Sequence, residues 1–164
     1  MNLGVTMRQL SILRVISVLV LFLFAGQVHA AEWRVVKIIG DAWVQSGAGA
    51  KKIAATRGLQ LSGRTKIVTG RNGKVVLARG RESMIVGPGS RVDIPTAKNG
   101  RTLIRQDSGV VEYQARKRDI RHFEVRTPVL ATIVKGTKFT VTQNNRLAQV
   151  AVSEGAVQVV HFAR

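Results

Sequence analysis

The sequence predicts an all-β protein, and three observations lead to this class. Short runs rich in Val, Ile and Thr recur along the chain from Trp33 onwards, and these residue types favour the half-buried surface of a sheet. Turn sequences that contain Gly or Asn separate the runs, as in all-β sandwiches and barrels. No stretch after residue 30 keeps a helical period over several turns. We therefore expect a compact roll, a sandwich or a flattened β-solenoid of short strands.

The first element is residues 1–30, which have the features of a secretory signal peptide. Arg8 and Arg14 precede an apolar run over residues 15–26. This run is shorter than the roughly 20 residues that a membrane-spanning helix needs. Basic residues followed by a short apolar run direct export, so we expect a protein of the periplasm or the extracellular medium.

Cleavage of this segment is expected between Ala30 and Ala31, because small residues precede that bond. Cleavage leaves a single mature domain over residues 31–164. The alternative is an uncleaved segment that anchors the chain in the inner membrane through residues 15–27. The same features are present if translation starts at Met7 rather than at the first methionine.

The elements of the mature domain are short strands bounded by turn residues. They are expected at residues 33–39, 42–45, 65–69, 74–79, 83–86, 91–94, 102–105, 109–114, 122–126, 132–134, 138–143, 148–153 and 156–162. Residues 48–61 are the one weak helical candidate, to be read as a short helix or a loop. Adjacent apolar pairs such as Val35-Val36 and Val159-Val160 favour strands that are covered on both faces by further sheet.

The composition excludes several kinds of reactive site. With 0 Cys, the chain has no disulfide, thiolate metal site or cysteine nucleophile. The mature histidines, His122 and His161, have no acidic neighbours at metal-ligand spacing, and His122 is expected to be a surface or edge imidazole. We predict no catalytic residue, no cofactor and no metal, and an enzyme that acts on envelope glycans is only a distant alternative.

Positive charge is the most distinctive property that remains. The chain has 26 Lys+Arg against 9 Asp+Glu, a formal net charge of +17. Export makes nucleic acid an unsuitable partner, so the charge indicates an anionic glycan, a lipid headgroup or an acidic protein surface. The alternative is a solvated basic face, with residues such as Lys74 and Arg79 on it, that discourages pairing of sheet edges. One dense cluster supplies the candidate contact residues, Arg116, Lys117, Arg118 and Arg121.

Several short motifs occur in a fixed order between residues 33 and 162. They are Thr69-Gly70, Asn72-Gly73, Gly87-Pro88-Gly89-Ser90, Thr127-Pro128, Gly136-Thr137-Lys138-Phe139 and Glu154-Gly155-Ala156-Val157. In this order they resemble the FecR domain family, and the last three carry most of the specificity. The chain departs from that pattern at Gly63-Arg64, where the family usually has Gly-Asp, which replaces an acidic residue by a basic one.

The resemblance implies a function through partners rather than through catalysis. In the iron-dicitrate regulators, this domain is the periplasmic part of a one-span sensor whose cytoplasmic segment handles a sigma factor. This chain has a signal peptide in place of that segment, so we expect no sigma-factor contact by the chain itself. It resembles the stand-alone exported members, which implies a signalling or scaffolding module with an envelope protein as its partner. The alternative is a binder of peptidoglycan or lipopolysaccharide through the basic face.

The motif residues are interpreted as structural, with Gly136 as the most sensitive position. Gly136 is expected to permit a bulge or a close backbone approach before Thr137 re-enters a strand. We expect Gly136→Val to unfold the domain if Gly136 has a positive φ, where β-branched residues are strongly disfavoured. Phe139, Gly155 and Val157 are expected to support the same part of the fold.

Overall fold

The computed structural model describes residues 32–47, 49–95 and 100–162. The predicted signal peptide and the bond between Ala30 and Ala31 lie outside the described residues. Within the described residues the fold is all-β without a helix, which confirms the predicted class. It follows that no helix among them is suited to crossing a membrane.

The described residues form a 14-stranded sheet that is curled into a half-barrel. In chain order its strands are β1 (Trp33–Ile39), β2 (Ala42–Ser46), β3 (Ile53–Ala54), β4 (Gln60–Leu61), β5 (Thr65–Thr69), β6 (Lys74–Arg79), β7 (Glu82–Val86), β8 (Arg91–Ile94), β9 (Thr102–Gln114), β10 (Phe123–Arg126), β11 (Leu130–Val134), β12 (Lys138–Gln143), β13 (Ala148–Glu154) and β14 (Val157–His161).

The long strand β9 joins two arms of this sheet. Its first half lies between β8 and β10 in the front arm, whose order is β3-β2-β5-β8-β9-β10-β11-β14. Its second half lies between β7 and β12 in the back arm, whose order is β4-β1-β6-β7-β9-β12-β13. All of these pairs are antiparallel except β9 with β10, which is parallel.

Gly109 is the residue at which β9 passes from one arm to the other. It has a φ of 92°, a conformation that glycine adopts without the penalty that other residues incur. A Cβ at this position would lie 2.6 Å from Ser90 Cβ, so the neighbouring turn leaves no room for a side chain. Two strands were predicted on either side of this point, over 102–105 and 109–114. The structure joins them into one.

The two arms enclose one hydrophobic core whose centre is aromatic. Tyr113 stacks on Phe139 with ring centroids 5.3 Å apart, and meets Phe123 edge-on at 6.0 Å. The Tyr113 hydroxyl donates to Gln106 Oε1 at 3.0 Å, and Gln106 Nε2 in turn donates to the Val141 carbonyl. The polar end of the tyrosine is therefore satisfied inside the core.

Tyr113 gives a prediction for alkaline pH. Burial raises the pKa of its hydroxyl well above the ordinary value of about 10. Above that pH an unfolded chain loses this proton more readily than the folded one, so the free energy of unfolding should fall as pH rises. The chain has 1 Tyr, so phenolate absorbance near 295 nm reports this residue alone. We expect phenolate to form only as the protein unfolds, whereas a titration near pH 10 in the folded protein would contradict its burial.

Two details of the prediction are wrong. Residues 53–54 and 60–61 are short strands, β3 and β4, in the region predicted as a helix or a loop. The apolar pairs do not mark strands covered on both faces, because Val36 is 42% exposed and Val160 is 41% exposed. The sheet encloses the core on its inner face only, so Val36 meets solvent while Val35 is buried, and at the edge strand β14 both Val159 and Val160 are exposed.

Candidate functional site

A groove of about 800 Å³ lies on the outer face of the front arm. Leu103 alternates with the buried Ile104 on β9, and Ile133 alternates with buried residues on β11, so both point away from the core. The register places Leu103 beside Glu124 and Glu124 beside Ile133, which makes a half-apolar floor across three strands. Four arginines line the groove: Arg64, Arg101, Arg105 and Arg121.

Two of these arginines are held by a buried carboxylate. Arg64 makes a bidentate contact with Asp93, with Nη2 at 2.7 Å and Nε at 3.1 Å from Oδ2, and this hydrogen bond raises the pKa of the guanidinium. Arg105 Nη1 lies 4.0 Å from the same oxygen. The buried Asp93 offsets part of this positive charge, and its hydrogen bonds hold Arg64 at one rim of the groove.

The other two arginines have no such partner. Arg101 and Arg121 are exposed, and no carboxylate within the described part of the chain forms a salt bridge with either of them. Arg101 directly precedes Thr102, and Arg121 lies two residues before Phe123, so the parallel pairing of Thr102 with Phe123 brings the two arginines to the same end of the groove. Two guanidinium groups at one rim favour a carboxylate or phosphate ligand, because the planar guanidinium can form paired hydrogen bonds with either group.

A buried ionic cluster lies beneath this end of the groove. Glu82 accepts from Arg79 through Oε2, and its Oε1 lies 3.2 Å from His122 Nε2. The second ring nitrogen of His122 lies 3.2 Å from the Ile120 carbonyl, and Arg79 also donates to the Thr102 hydroxyl. The cluster therefore ties β6, β7 and β9 to the segment that precedes β10.

This cluster corrects two expectations. His122 is buried rather than a surface or edge imidazole, because its ring fills the space between Glu82 and the backbone at Ile120. Arg79 does not lie on the solvated basic face, since it turns inward to Glu82 and lies over the Trp33 ring at 4.6 Å. The carboxylate of Glu82 offsets the cost of taking the Arg79 charge out of water.

The four candidate contact residues separate in the structure. Arg121 lines the groove, and Arg118 and Arg121 line a neighbouring open depression of about 600 Å³ that also includes Arg101 and Lys135. Arg118 is half-buried and donates to the Gly100 carbonyl at 3.4 Å. Arg116 and Lys117 are exposed but line neither cavity.

Most of the motif residues lie where the chain crosses between the arms. Gly136 lies in the link from β11 to β12 and has no positive φ, which corrects the conformation considered for it. Its requirement is space, because a Cβ would lie 2.8 Å from Lys117 N and closer still to Lys117 Cα. The sequence also predicted a close backbone approach at Gly136, and the structure confirms it.

The motif residues from Thr137 to Val157 lie at or next to the crossings between the arms, whereas Thr127 and Pro128 lie in the turn between β10 and β11 of the front arm. Thr137 donates to the Ala156 carbonyl at 3.0 Å, and Gly155 has a φ of 84° beside it. Phe139 is in the core, Val157 packs against it, and Glu154 is exposed opposite Lys138. The Thr127 hydroxyl accepts from the Leu130 amide at 3.1 Å and closes the turn that contains Pro128. These contacts are structural, and none of these residues lines the groove.

Sequence reasoning missed most of the groove. Arg101 and Arg121 are distant along the chain, and only the register of β9 with β10 brings them together. Arg64 was noticed as a departure from the family pattern, but its pairing with Asp93 gave no sequence signal. Within the residues that the structure describes, no three metal-ligating side chains converge. The lining of the groove is mainly cationic and apolar, with Glu124 on its floor.

The fold and the groove define a β-sheet domain with an arginine-lined groove, and a comparison with protein families gives its family. The model described as FecR protein matches residues 65–158, more than half of the chain. The chain therefore belongs to the FecR family, whose domains are generally regulatory or signalling domains and typically associated with the cell envelope. No curated protein and no solved structure matches the chain.

The family match is shorter than the resemblance over residues 33–162. It begins at β5, so β1 to β4 lie outside it, and it contains every lining residue of the groove except Arg64. The departure from the family pattern at Gly63-Arg64 therefore adds a cation next to the matched region.

Proposed function

We propose that this chain is a non-enzymatic interaction module that works in the periplasm after export. Its partner is an acidic segment of an envelope protein, and its task is signalling or scaffolding. Family membership supports the class of function, and the groove supports the way in which the partner binds. The basic and apolar features of residues 1–30 support the compartment.

The observation that carries this proposal is the pair Arg101 and Arg121 beside an apolar floor. Exposed arginines without an acidic partner bind carboxylates at little cost, because no internal ion pair has to be broken first. Leu103 and Ile133 offer apolar contact between the two rims. An acidic peptide segment with an occasional apolar side chain matches both parts of the groove.

A pull-down from envelope extract at low salt tests the proposal. We expect the protein to retain an envelope protein, and the double variant Arg101→Gln/Arg121→Gln to lose at least about 90% of it, as for loss of two charge-assisted contacts. The matched control is Arg71→Gln/Arg146→Gln, which removes the same charge from exposed turns outside the groove. If no protein is retained, or both variants lose it equally, the groove is not the recognition surface of a protein-binding module.

The second candidate is a binder of an anionic glycan or lipid, peptidoglycan and lipopolysaccharide included. The depression next to the groove favours it, because Arg118 and Lys135 extend the cationic surface beyond Arg101 and Arg121. An extended polymer would follow such a surface. Binding would weaken with salt, since screening at about 0.15 M limits charge attraction to roughly 8 Å.

Co-sedimentation with purified cell wall or outer-membrane lipid tests this second candidate. We expect a glycan or lipid binder to sediment with the polymer at low salt and to be released as salt rises. The Arg101→Gln/Arg121→Gln variant should be released at lower salt than the Arg71→Gln/Arg146→Gln control. A protein that remains in the supernatant at every salt concentration is not a polymer binder.

A further inference from the structure

The edges of the curled sheet are protected very differently. At one end the edge strands β3 and β4 have two residues each, and Lys51, Lys52 and Arg57 lie beside them in the sequence. Short strands and lysines prevent pairing with other chains. Of the two remaining edges, β13 pairs only with β12 but contains Glu154 and follows Arg146 in the sequence. The other is β14, which has five residues and pairs only with β11 among the described residues.

The free edge of β14 is also apolar. Val159 is 38% exposed and Val160 is 41% exposed, and the next residue, Phe162, is exposed as well. Val157 packs against the core opposite the buried Val134 of β11, and Val159 follows it on the same face of the strand. The core therefore reaches solvent along this strand.

Charge indicates what covers this edge. No charged residue occurs between Gly155 and Phe162, in a chain of which 21% is charged and whose net charge is +17. Two copies of this chain repel each other at most other faces, whereas at β14 they can approach without opposing like charges. An acidic partner would instead be attracted to the basic groove.

We propose that β14 is the docking edge for a second copy of this chain. The two β14 strands pair antiparallel about a two-fold axis at Val159, so that Val157 of each copy lies opposite His161 of the other. Gln158 of each copy then lies opposite Val160 of the other, and the front arms form one continuous sheet. A two-fold arrangement closes after two copies, which prevents further growth along this edge. This inference does not depend on the proposed function.

Light scattering of the purified protein and disulfide trapping test the proposal together. We expect the protein to have twice the mass of one chain. The chain has 0 Cys, so the only disulfide that Val159→Cys can form joins two copies. Directly opposed residues of an antiparallel pair have Cα atoms about 4.5–5.5 Å apart, within the range that a disulfide spans. We therefore expect Val159→Cys to form a covalent dimer under mild oxidation.

The controls use the protected end of the sheet. Ile53 on β3 is 49% exposed, so a cysteine there is accessible to oxidation. The Ile53→Cys protein should nevertheless run as a monomer on a non-reducing gel. Val159→Lys, with Val160→Lys as a second variant in case the first fails to fold, should be a folded monomer. A wild-type protein that is monomeric at its highest soluble concentration overturns the proposal. So does a lysine variant that stays dimeric, or a Val159→Cys that cross-links no more than Ile53→Cys.

Discussion

Gly136→Ala is expected to lower the free energy of unfolding by at least about 3 kcal/mol, the upper range for overpacked sites. The link at Gly136 runs directly against the segment after β9, where the Arg118 amide donates to the Lys135 carbonyl at 2.8 Å and the Ala115 amide to the Thr137 carbonyl at 3.0 Å. The obstacle to a Cβ is the backbone of Lys117, which cannot rotate away as a side chain would. Thermal unfolding followed by circular dichroism measures the loss, and Gly136→Val should not fold.

The control for this prediction is Gly80→Ala. Gly80 has a φ of 58° with no atom within 4 Å of the added Cβ, so alanine there should cost only the conformational strain of about 1 kcal/mol. If Gly136→Ala unfolds at the same temperature as Gly80→Ala, the close approach of Gly136 to the backbone of Lys117 is wrong. The crossings between the arms would then have a looser geometry than described.

Glu82→Ala is expected to lower the free energy of unfolding by about 3–5 kcal/mol, as removal of one partner from a buried ion pair does. Glu82 is the one carboxylate that faces both Arg79 and His122 within the buried cluster, and the His122 side chain is almost completely inaccessible. Its loss leaves the buried His122 Nε2 without its partner and Arg79 with only the Thr102 hydroxyl as an acceptor. Chemical denaturation with urea measures the change.

Glu124→Ala is the matched control for Glu82→Ala. Glu124 pairs with Arg126 on the surface, where half of the Arg126 side chain is exposed. Such a surface pair contributes no more than about 1 kcal/mol. Equal losses in the two variants would show that the cluster at Glu82 is as solvated as the surface pair, and that His122 is not held in the interior.

The sequence predicted the strands well because each strand is a local pattern. The bounds of β1, β5, β6, β8 and β12 are those predicted, since apolar alternation and flanking turn residues define a strand without reference to its neighbours. The curling of the sheet was not predictable in the same way. It depends on Gly109, where β9 passes from the front arm to the back arm. This residue begins the second of the two segments that were predicted as separate strands.

The candidate site was less predictable because it depends on pairing between distant segments. The cluster at Arg116 to Arg121 was visible as consecutive charges, yet only Arg118 and Arg121 line the cavities. Arg101 and Arg105 contribute through the register of β9 with β8 and β10, which no local pattern reveals. His122 was misjudged for the same reason, because its acidic partner is on β7.

Site-directed photo-cross-linking in intact cells tests the recognition surface most directly. A photoreactive residue at Leu103 lies on the floor of the groove, and one at Thr140 lies on the outer face of the back arm as the control. We predict that Leu103 forms an adduct with an envelope protein, that Arg101→Gln/Arg121→Gln abolishes it, and that Thr140 forms none. Adducts of equal yield from both positions, or none from Leu103 in the folded exported protein, would contradict the assignment of the groove.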